Sequence, residues 1–205
     1  MQYDPIKRTL GRIFTGPPFG RKLFYLLLDL LLLRAWHINR KLKEISKLLP
    51  DNASVLDAGC GFGQYTWRMG RTNRNWIIRG IDIDSKHIAE CRKFFALSYL
   101  GNRTSFHQQD LILLAYNDAF DLVLTVDVME HINEDEKVFC NFYKALKNNG
   151  FLVISTPSDK GGSDVHDEND TSFIDEHVRD GYGKEELLSY LITTLANSEN
   201  SSVIH

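Results

Sequence analysis

Cysteine and proline are scarce in this chain, with three cysteines and five prolines in 205 residues. The cysteines are odd in number, lie far apart and include no C-x-x-C pair, so they suit neither a disulfide framework nor a zinc site. They are Cys60, Cys91 and Cys140. We therefore expect reduced thiols, no bound metal and a cytoplasmic location.

The sequence also lacks an apolar stretch long enough to cross a membrane. Its longest such stretch, residues 23–33, contains Asp29, whereas a membrane-spanning helix needs about 20 apolar residues. No cleavage site of a signal peptide follows the stretch. We interpret it as a buried or interfacial helix. It could cover an apolar ligand, contact a membrane surface peripherally, contact a dimer partner, or pack into the core of the domain.

Charge of neither sign dominates, since the net charge is only −3. Residues 1–50 carry ten Lys and Arg against three acidic residues, and residues 158–205 carry three against eleven. The segment between them is nearly balanced and lacks the basic surface typical of proteins that bind nucleic acids. We therefore expect no nucleic acid partner.

What the chain does contain is a glycine-rich turn after an apolar strand. The run V-L-D-A-G-C-G-F-G starts at Val55, and a helix is predicted from Gln64. Such a turn brings backbone N–H groups and the positive end of a helix together, which suits a polar or negative ligand group. The dinucleotide fingerprint G-x-G-x-x-G would need glycine at position 64, and no lysine of a phosphate-binding loop follows.

Acidic residues occupy the same relative place after the next strands. A second strand, predicted over 76–84, ends in acids about 20 residues after the glycine turn, as a strand–helix–strand crossover requires, and Asp82 closes its G-I-D triplet. Asp84 is predicted to cap the following helix, in which Ile88, Cys91 and Phe95 share one face.

A third, weaker strand ends at Asp110, and a fourth over 120–127 leads into V-M-E-H-I. A helix over 133–147 and a fifth strand over 150–157 are predicted next. Because crossovers are right-handed, the carboxyl ends of these strands meet at one edge. We expect five positions to converge there: Gly59, Asp82, Asp110, Val126 and Glu130.

The D-A-G-C-G-F-G turn resembles motif I of the class I S-adenosylmethionine-dependent methyltransferases, and D-V-M-E-H-I resembles the segment after strand four in members that act on small molecules. The resemblance implies a doubly wound, mostly parallel Rossmann-like α/β sheet flanked by helices over residues 51–157. An N-terminal helical extension, 1–50, precedes it. An acceptor-side loop and helix, 158–205, follow, and the family's C-terminal antiparallel strand pair is incomplete in this sequence.

The resemblance also assigns the cofactor, S-adenosylmethionine, and its contacts. The glycine turn would wrap the methionine part, the second strand end would hold the ribose, and the third would hold the adenine. The implied cofactor residues are Asp57, Gly59, Cys60, Gly61, Gly63, Asp82, Ile83, Asp110, Leu111 and Val126. Glu130, His131 and His177 are candidates for orienting or deprotonating the acceptor.

The implied reaction is methyl transfer to a small molecule by in-line displacement, which leaves S-adenosylhomocysteine. The leucine-rich N-terminal segment favours an apolar or quinol-like acceptor. His177 and Tyr182, in the string E-H-V-R-D-G-Y, could contact that acceptor, whereas Glu130 and His131 could instead only support their loop. Two other functions stay open: a non-catalytic S-adenosylmethionine-binding regulatory or scaffold protein, and a nicotinamide-dependent dehydrogenase, which Gln64 disfavours.

Overall fold

The computed structural model describes residues 25, 33–157, 181–187 and 189. The helices with full bounds are α1 (Leu33–Ile45), α2 (Gln64–Thr72), α3 (Ser85–Ala96) and α4 (Asp135–Ala145). The strands are β1 (Ser54–Ala58), β2 (Ile77–Asp82), β3 (Thr104–Gln108), β4 (Phe120–Val126) and β5 (Leu146–Ser155). Short 3-10 turns span Gly101–Arg103, Leu111–Leu113 and Met129–His131. Residues 184–187 and 189 are helical.

The strands form one parallel sheet in the order β3-β2-β1-β4-β5. This arrangement confirms the predicted doubly wound α/β class. The chain runs outward from β1 in one direction through β2 and β3, and then returns to the other side of β1 for β4 and β5. The carboxyl ends of β1 and β4 therefore flank the point where the winding reverses, which is where open α/β sheets bind ligands.

Successive residues of β1 face opposite sides of the sheet and are buried on both. Val55 lies in a cluster with Ile38 and Leu42 of α1, while Leu56 lies in a cluster with Phe139 of α4. A strand with helices on both faces is rich in apolar residues, as β1 and β4 are, although each contains one aspartate. The helices thus leave the carboxyl edge of the strands as the place for polar loops.

The end of the N-terminal extension is part of this core. One face of α1 is apolar and buried, with its charged residues exposed on the other side, as helical spacing requires. The buried residues are Ile38, Leu42 and Ile45. The leucine-rich stretch before α1 lies outside the described residues except for Tyr25. Among the helices that are described, none has the length and apolarity to cross a membrane.

Strand β5 begins earlier than the sequence pattern predicted. It pairs with β4 at Phe120–Leu146 and again at Leu122–Phe151, and the extra residues between form an irregularity in which Asn149 has a φ of 62°. The helix predicted over 133–147 ends at Ala145, and the segment K-N-N-G that begins at Lys147 is not part of it. The segment instead belongs to the bulged strand, where Lys147 Nζ lies 2.7 Å from Asp121 Oδ2. The C-terminal antiparallel strand pair, which was expected to be incomplete, falls outside the described residues.

Candidate active site

The glycine turn after β1 adopts backbone conformations that favour glycine. Gly59, Gly61 and Gly63 have φ values of 76°, 48° and 79°. L-residues with a side chain rarely adopt this left-handed region, so all three glycines are required by the path of the chain. Gly63 is the N-cap residue of α2, whose first turn lies beside the carboxyl end of β1.

Close packing is a second reason for two of these glycines. A Cβ on Gly59 would lie 2.2 Å from Cγ2 of Val128, and a Cβ on Gly63 would lie 2.8 Å from Cε2 of Phe95. The resemblance implies that these glycines surround part of a ligand. The structure shows that protein side chains occupy the space on the Cβ side of Gly59 and Gly63.

Asp57 ties the end of β1 to the helix after the turn. Its side chain is 2% exposed, and Oδ2 accepts a 2.5 Å hydrogen bond from the hydroxyl of Thr66 in the first turn of α2. Burial raises the pKa of Asp57 to about 7, although hydrogen bonds from Thr66 act in the opposite direction. The side chain predicted to bind cofactor therefore also holds the glycine turn in shape.

Asp82 connects the end of β2 to the same turn. Its carboxylate is 6% exposed and accepts two backbone hydrogen bonds of 2.8 Å, from Gly61 N–H on Oδ2 and from Asp84 N–H on Oδ1. A carboxylate can accept about four hydrogen bonds, so acceptor capacity remains after these two. Ile83, the next residue, is 49% exposed, and Asp84 caps α3 through the N–H of Lys86, as predicted.

The end of β3 joins this group through the main chain. Gln109 N–H donates to the carbonyl of Asp82 at 3.0 Å. Asp110 Oδ1 then accepts from Ile112 N–H at 2.9 Å and starts a 3-10 turn. Leu111 is buried, and its N–H donates to no acceptor within the described residues. A carboxylate and an unused N–H thus stand side by side in the sequence at this strand end.

The thiol of Cys60 packs inside the turn next to that of Cys91. Hydrogen bonding with Cys91 and burial raise the pKa of Cys60 well above its usual range, so this thiol stays protonated and unreactive. Cys91 Sγ also lies 3.4 Å from the carbonyl of Gly61. In the part of the chain that the structure describes, no group of three or more His, Cys, Asp or Glu could hold a metal ion.

Glu130 and His131 lie in the 3-10 turn that follows β4. Glu130 is 1% exposed, and Oε2 accepts a 3.2 Å hydrogen bond from the hydroxyl of Thr156, which follows β5. Burial is the main cause that raises the pKa of Glu130. Val126 ends β4, and Asp127 has a φ of 55°, which turns the chain sharply toward Glu130.

Tyr182 anchors the segment after β5 on this turn. Its buried hydroxyl lies 2.8 Å from Asp135 Oδ2 and 3.1 Å from the carbonyl of Met129, while its N–H donates to the carbonyl of Pro157. The hydroxyl considered for acceptor contact therefore already has protein partners. His177 lies outside the described residues, so its role stays a prediction.

The structure brings the predicted strand ends together. Hydrogen bonds join the glycine turn to Asp82 and Asp82 to Gln109, and van der Waals contact joins Gly59 to Val128. Sequence reasoning missed the supporting residues Thr66, Val128 and Thr156. Only Thr66 had a local signal, because it lies in the first turn of a helix nine residues after a strand-end acid.

Comparison with known proteins agrees with this geometry. Residues 49–192 match the family model described as "Methyltransferase domain". The chain belongs to the methyltransferase domain family. Its match includes all five strands and every strand-end residue discussed above.

Curated relatives of this methyltransferase domain carry different activities in their names. The mitochondrial ubiquinone biosynthesis O-methyltransferase of Candida albicans is 28% identical over 54% of this chain and 34% of its own length. The tRNA U34 carboxymethyltransferase of Shewanella woodyi is 30% identical over 59% of this chain and 36% of its own length. The chain thus spans about a third of the length of these two relatives.

A solved structure shares the fold at lower sequence identity. The phosphoethanolamine N-methyltransferase 2 of Haemonchus contortus, in complex with S-adenosyl-L-methionine, superposes with a TM-score of 0.63. The match covers 78% of this chain and 36% of that one at 19% identity. At this identity the likeness establishes the fold of the methyltransferase domain, and a shared fold alone does not fix the substrate.

Proposed function

We propose that this methyltransferase domain binds S-adenosylmethionine at the carboxyl edge of its sheet and transfers the methyl group to a small molecule. The observation that carries the proposal is the hydrogen bond between Gly61 N–H and Asp82 Oδ2. It places the glycine turn beside a carboxylate with acceptor capacity to spare, within a chain of the methyltransferase domain family. Catalysis is favoured over a non-catalytic role because the relatives reported above are all named as transferases.

The residues present fit this cofactor. Asp82 can accept hydrogen bonds from two ribose hydroxyls, and the half-exposed side chain of Ile83 offers an apolar surface for the adenine ring. Asp110 retains an oxygen for the adenine amino group, and the N–H of Leu111 is available for a ring nitrogen. The positive end of α2 and the glycine turn would hold the methionine part.

The protein's main contribution to the reaction is positioning. S-adenosylmethionine supplies an activated methyl group on a sulfonium centre when bound. Holding the acceptor in reactive geometry lowers the activation free energy of the transfer by about 7 to 11 kcal/mol. This is more than a general base contributes. We propose Glu130 as the group that receives an acceptor proton, because its buried carboxyl sits at the carboxyl edge and burial raises its pKa.

A small molecule with an oxygen nucleophile is the acceptor we propose, with a quinol or catechol as the first choice. The name of the Candida albicans relative supports an oxygen acceptor, and the leucine-rich N-terminal segment supports an apolar one. That segment could also contact a membrane surface or a dimer partner. We keep the location as cytoplasmic, a proposal supported by the three free cysteines, and cell fractionation tests it.

Calorimetric titration with S-adenosylhomocysteine tests the cofactor site directly. The unmodified chain should bind it, and Asp82→Asn should bind about 10- to 100-fold more weakly, the value of one hydrogen bond to a charged group. Asp118→Asn is the matched control, because Asp118 is exposed before β4 at the opposite edge of the sheet. Equal binding by Asp82→Asn would remove the ribose assignment, and binding of NAD in place of S-adenosylhomocysteine would favour a dehydrogenase.

An acceptor screen tests the transfer step. The chain is incubated with S-adenosylmethionine and separate pools of catechols and quinols, amines, carboxylates, and bulk tRNA, and S-adenosylhomocysteine is measured by mass spectrometry. We expect turnover with the catechol and quinol pool. Turnover with tRNA alone would contradict a small-molecule acceptor. Cofactor binding without turnover in any pool would favour the non-catalytic alternative.

A further inference from the structure

Among the described residues, Tyr25 alone precedes α1. It packs against helices α2 and α3. Its side chain is 2% exposed. The ring lies 6.3 Å from that of Trp67 in α2 and 5.8 Å, edge-on, from that of Phe94 in α3. Tyr25 therefore belongs to the same cluster of buried residues as Cys60 of the glycine turn.

The hydroxyl of Tyr25 donates a hydrogen bond to the backbone carbonyl of Phe62. Phe62 lies between Gly61 and Gly63, which both have positive φ. The Phe62 carbonyl belongs to the peptide group that joins Phe62 to Gly63. Glycine passes easily between positive and negative φ, so a peptide group next to glycine can rotate at little cost unless something holds it. The Tyr25 hydroxyl holds the carbonyl of this peptide group, while its N–H, which is that of Gly63, donates to the carbonyl of Cys60 at 2.8 Å.

Two other contacts hold the neighbouring peptide groups of the turn. Asp82 accepts from Gly61 N–H, and the thiol of Cys91 donates to the carbonyl of Gly61. Both come from the second strand–helix unit of the core. The contact to Phe62 is different, because it comes from a residue 29 positions before β1 begins.

We propose that Tyr25 is a positioning residue that fixes the glycine turn in its cofactor-binding conformation. The consequence is that cofactor affinity depends on the N-terminal extension as well as on the strand ends. The proposal rests on the proposed function, in that the turn is the seat of the cofactor. The part of Tyr25 that matters for positioning is its hydroxyl, while the ring contributes packing.

Tyr25→Phe separates the two contributions, because it removes the hydroxyl and keeps the ring. S-adenosylhomocysteine should bind this variant about 3- to 10-fold more weakly, the value of one neutral hydrogen bond. Tyr99→Phe is the matched control. The ring of Tyr99 also contacts Trp67, at 5.5 Å, but the residue is 61% exposed. The control should bind like the unmodified chain.

Hydrogen exchange supplies a readout that does not depend on the ligand. Without ligand, amides of residues 59–64 should exchange about 3- to 10-fold faster in Tyr25→Phe than in the unmodified chain, and amides of β4 should not change. Unchanged affinity together with unchanged exchange would overturn the proposal. If the unmodified chain fails to bind S-adenosylhomocysteine, the proposed function fails, and the exchange result alone decides whether Tyr25 positions the turn.

Discussion

A methyl group on the α-carbon of Gly59 would lie 2.2 Å from Cγ2 of Val128, so the segment after β4 packs directly on the turn after β1. Gly59 also has a φ of 76°. A side chain at this position is therefore opposed by two independent effects, the strain of a left-handed backbone and the collision with Val128.

Gly59→Ala should lower the free energy of unfolding by about 2 to 5 kcal/mol, the sum of the two effects. Urea unfolding measures the loss. Val128→Ala in the same chain should recover the part caused by the collision, so the double variant should be more stable than the sum of the single changes predicts by about 1 to 2 kcal/mol. Additive losses would mean that strain alone opposes a side chain at position 59.

Asp57 should make stability depend on pH. Burial raises its pKa in the folded chain from 3.8 to about 7, so the folded state keeps a proton that the unfolded state has lost between these values. The contribution of Asp57 to the free energy of unfolding is fully present below about pH 4. It falls by up to about 1.4 kcal/mol for each pH unit as the pH rises, and it is lost above about pH 7.

Asp57→Asn removes this titration while keeping an oxygen for the hydroxyl of Thr66. In urea unfolding at several pH values, the unmodified chain should lose stability relative to the variant as pH rises from 4 to 7. Asp118→Asn controls for the replacement of an exposed aspartate. A constant difference between Asp57→Asn and the unmodified chain across this range would contradict the raised pKa.

The features that the sequence predicted correctly depend on local patterns. The cap at Asp84 and the buried face of α3 each follow from side-chain spacing within one element. The meeting of the strand ends followed from the handedness of crossovers, a general property of parallel sheets. These predictions needed no knowledge of which particular side chains touch.

The features that escaped prediction depend on contacts between distant segments. Nothing in the spacing of Val128 or Tyr182 shows that one covers Gly59 and the other binds Asp135. The early start of β5 escaped because K-N-N-G has the composition of a helix end, while pairing with β4 holds it in a bulged strand. Tertiary contacts override local preference at such places.

Asp110 should select for the amino group of adenine. In Asp110→Asn the Oδ1 atom can still accept from Ile112 N–H, while the second carboxylate oxygen becomes an amide donor. The preference for S-adenosylhomocysteine over S-inosylhomocysteine, which carries an oxygen in place of the amino group, should fall by about 10-fold. Competition calorimetry measures the ratio, with Asp118→Asn as the control. An unchanged ratio would show that Asp110 only caps its turn.

Glu130 should control turnover without affecting cofactor binding. With the first acceptor that the screen identifies, Glu130→Gln should lower kcat by about 100- to 10,000-fold if proton removal is needed, and should bind S-adenosylhomocysteine as the unmodified chain does. Because burial raises the pKa of Glu130, the unmodified enzyme should lose activity as pH falls, starting at a higher pH than an ordinary glutamate would cause.

The glutamine variant should lack this acidic limb of the pH profile, because it has no proton to gain. Glu136→Gln is the matched control on the exposed side of α4 and should keep both the rate and the pH profile. If Glu130→Gln turns over at the normal rate with the same pH profile, Glu130 is not the base. Its role is then to support its loop through the hydrogen bond from Thr156, and the acceptor proton is removed by another group or needs no removal.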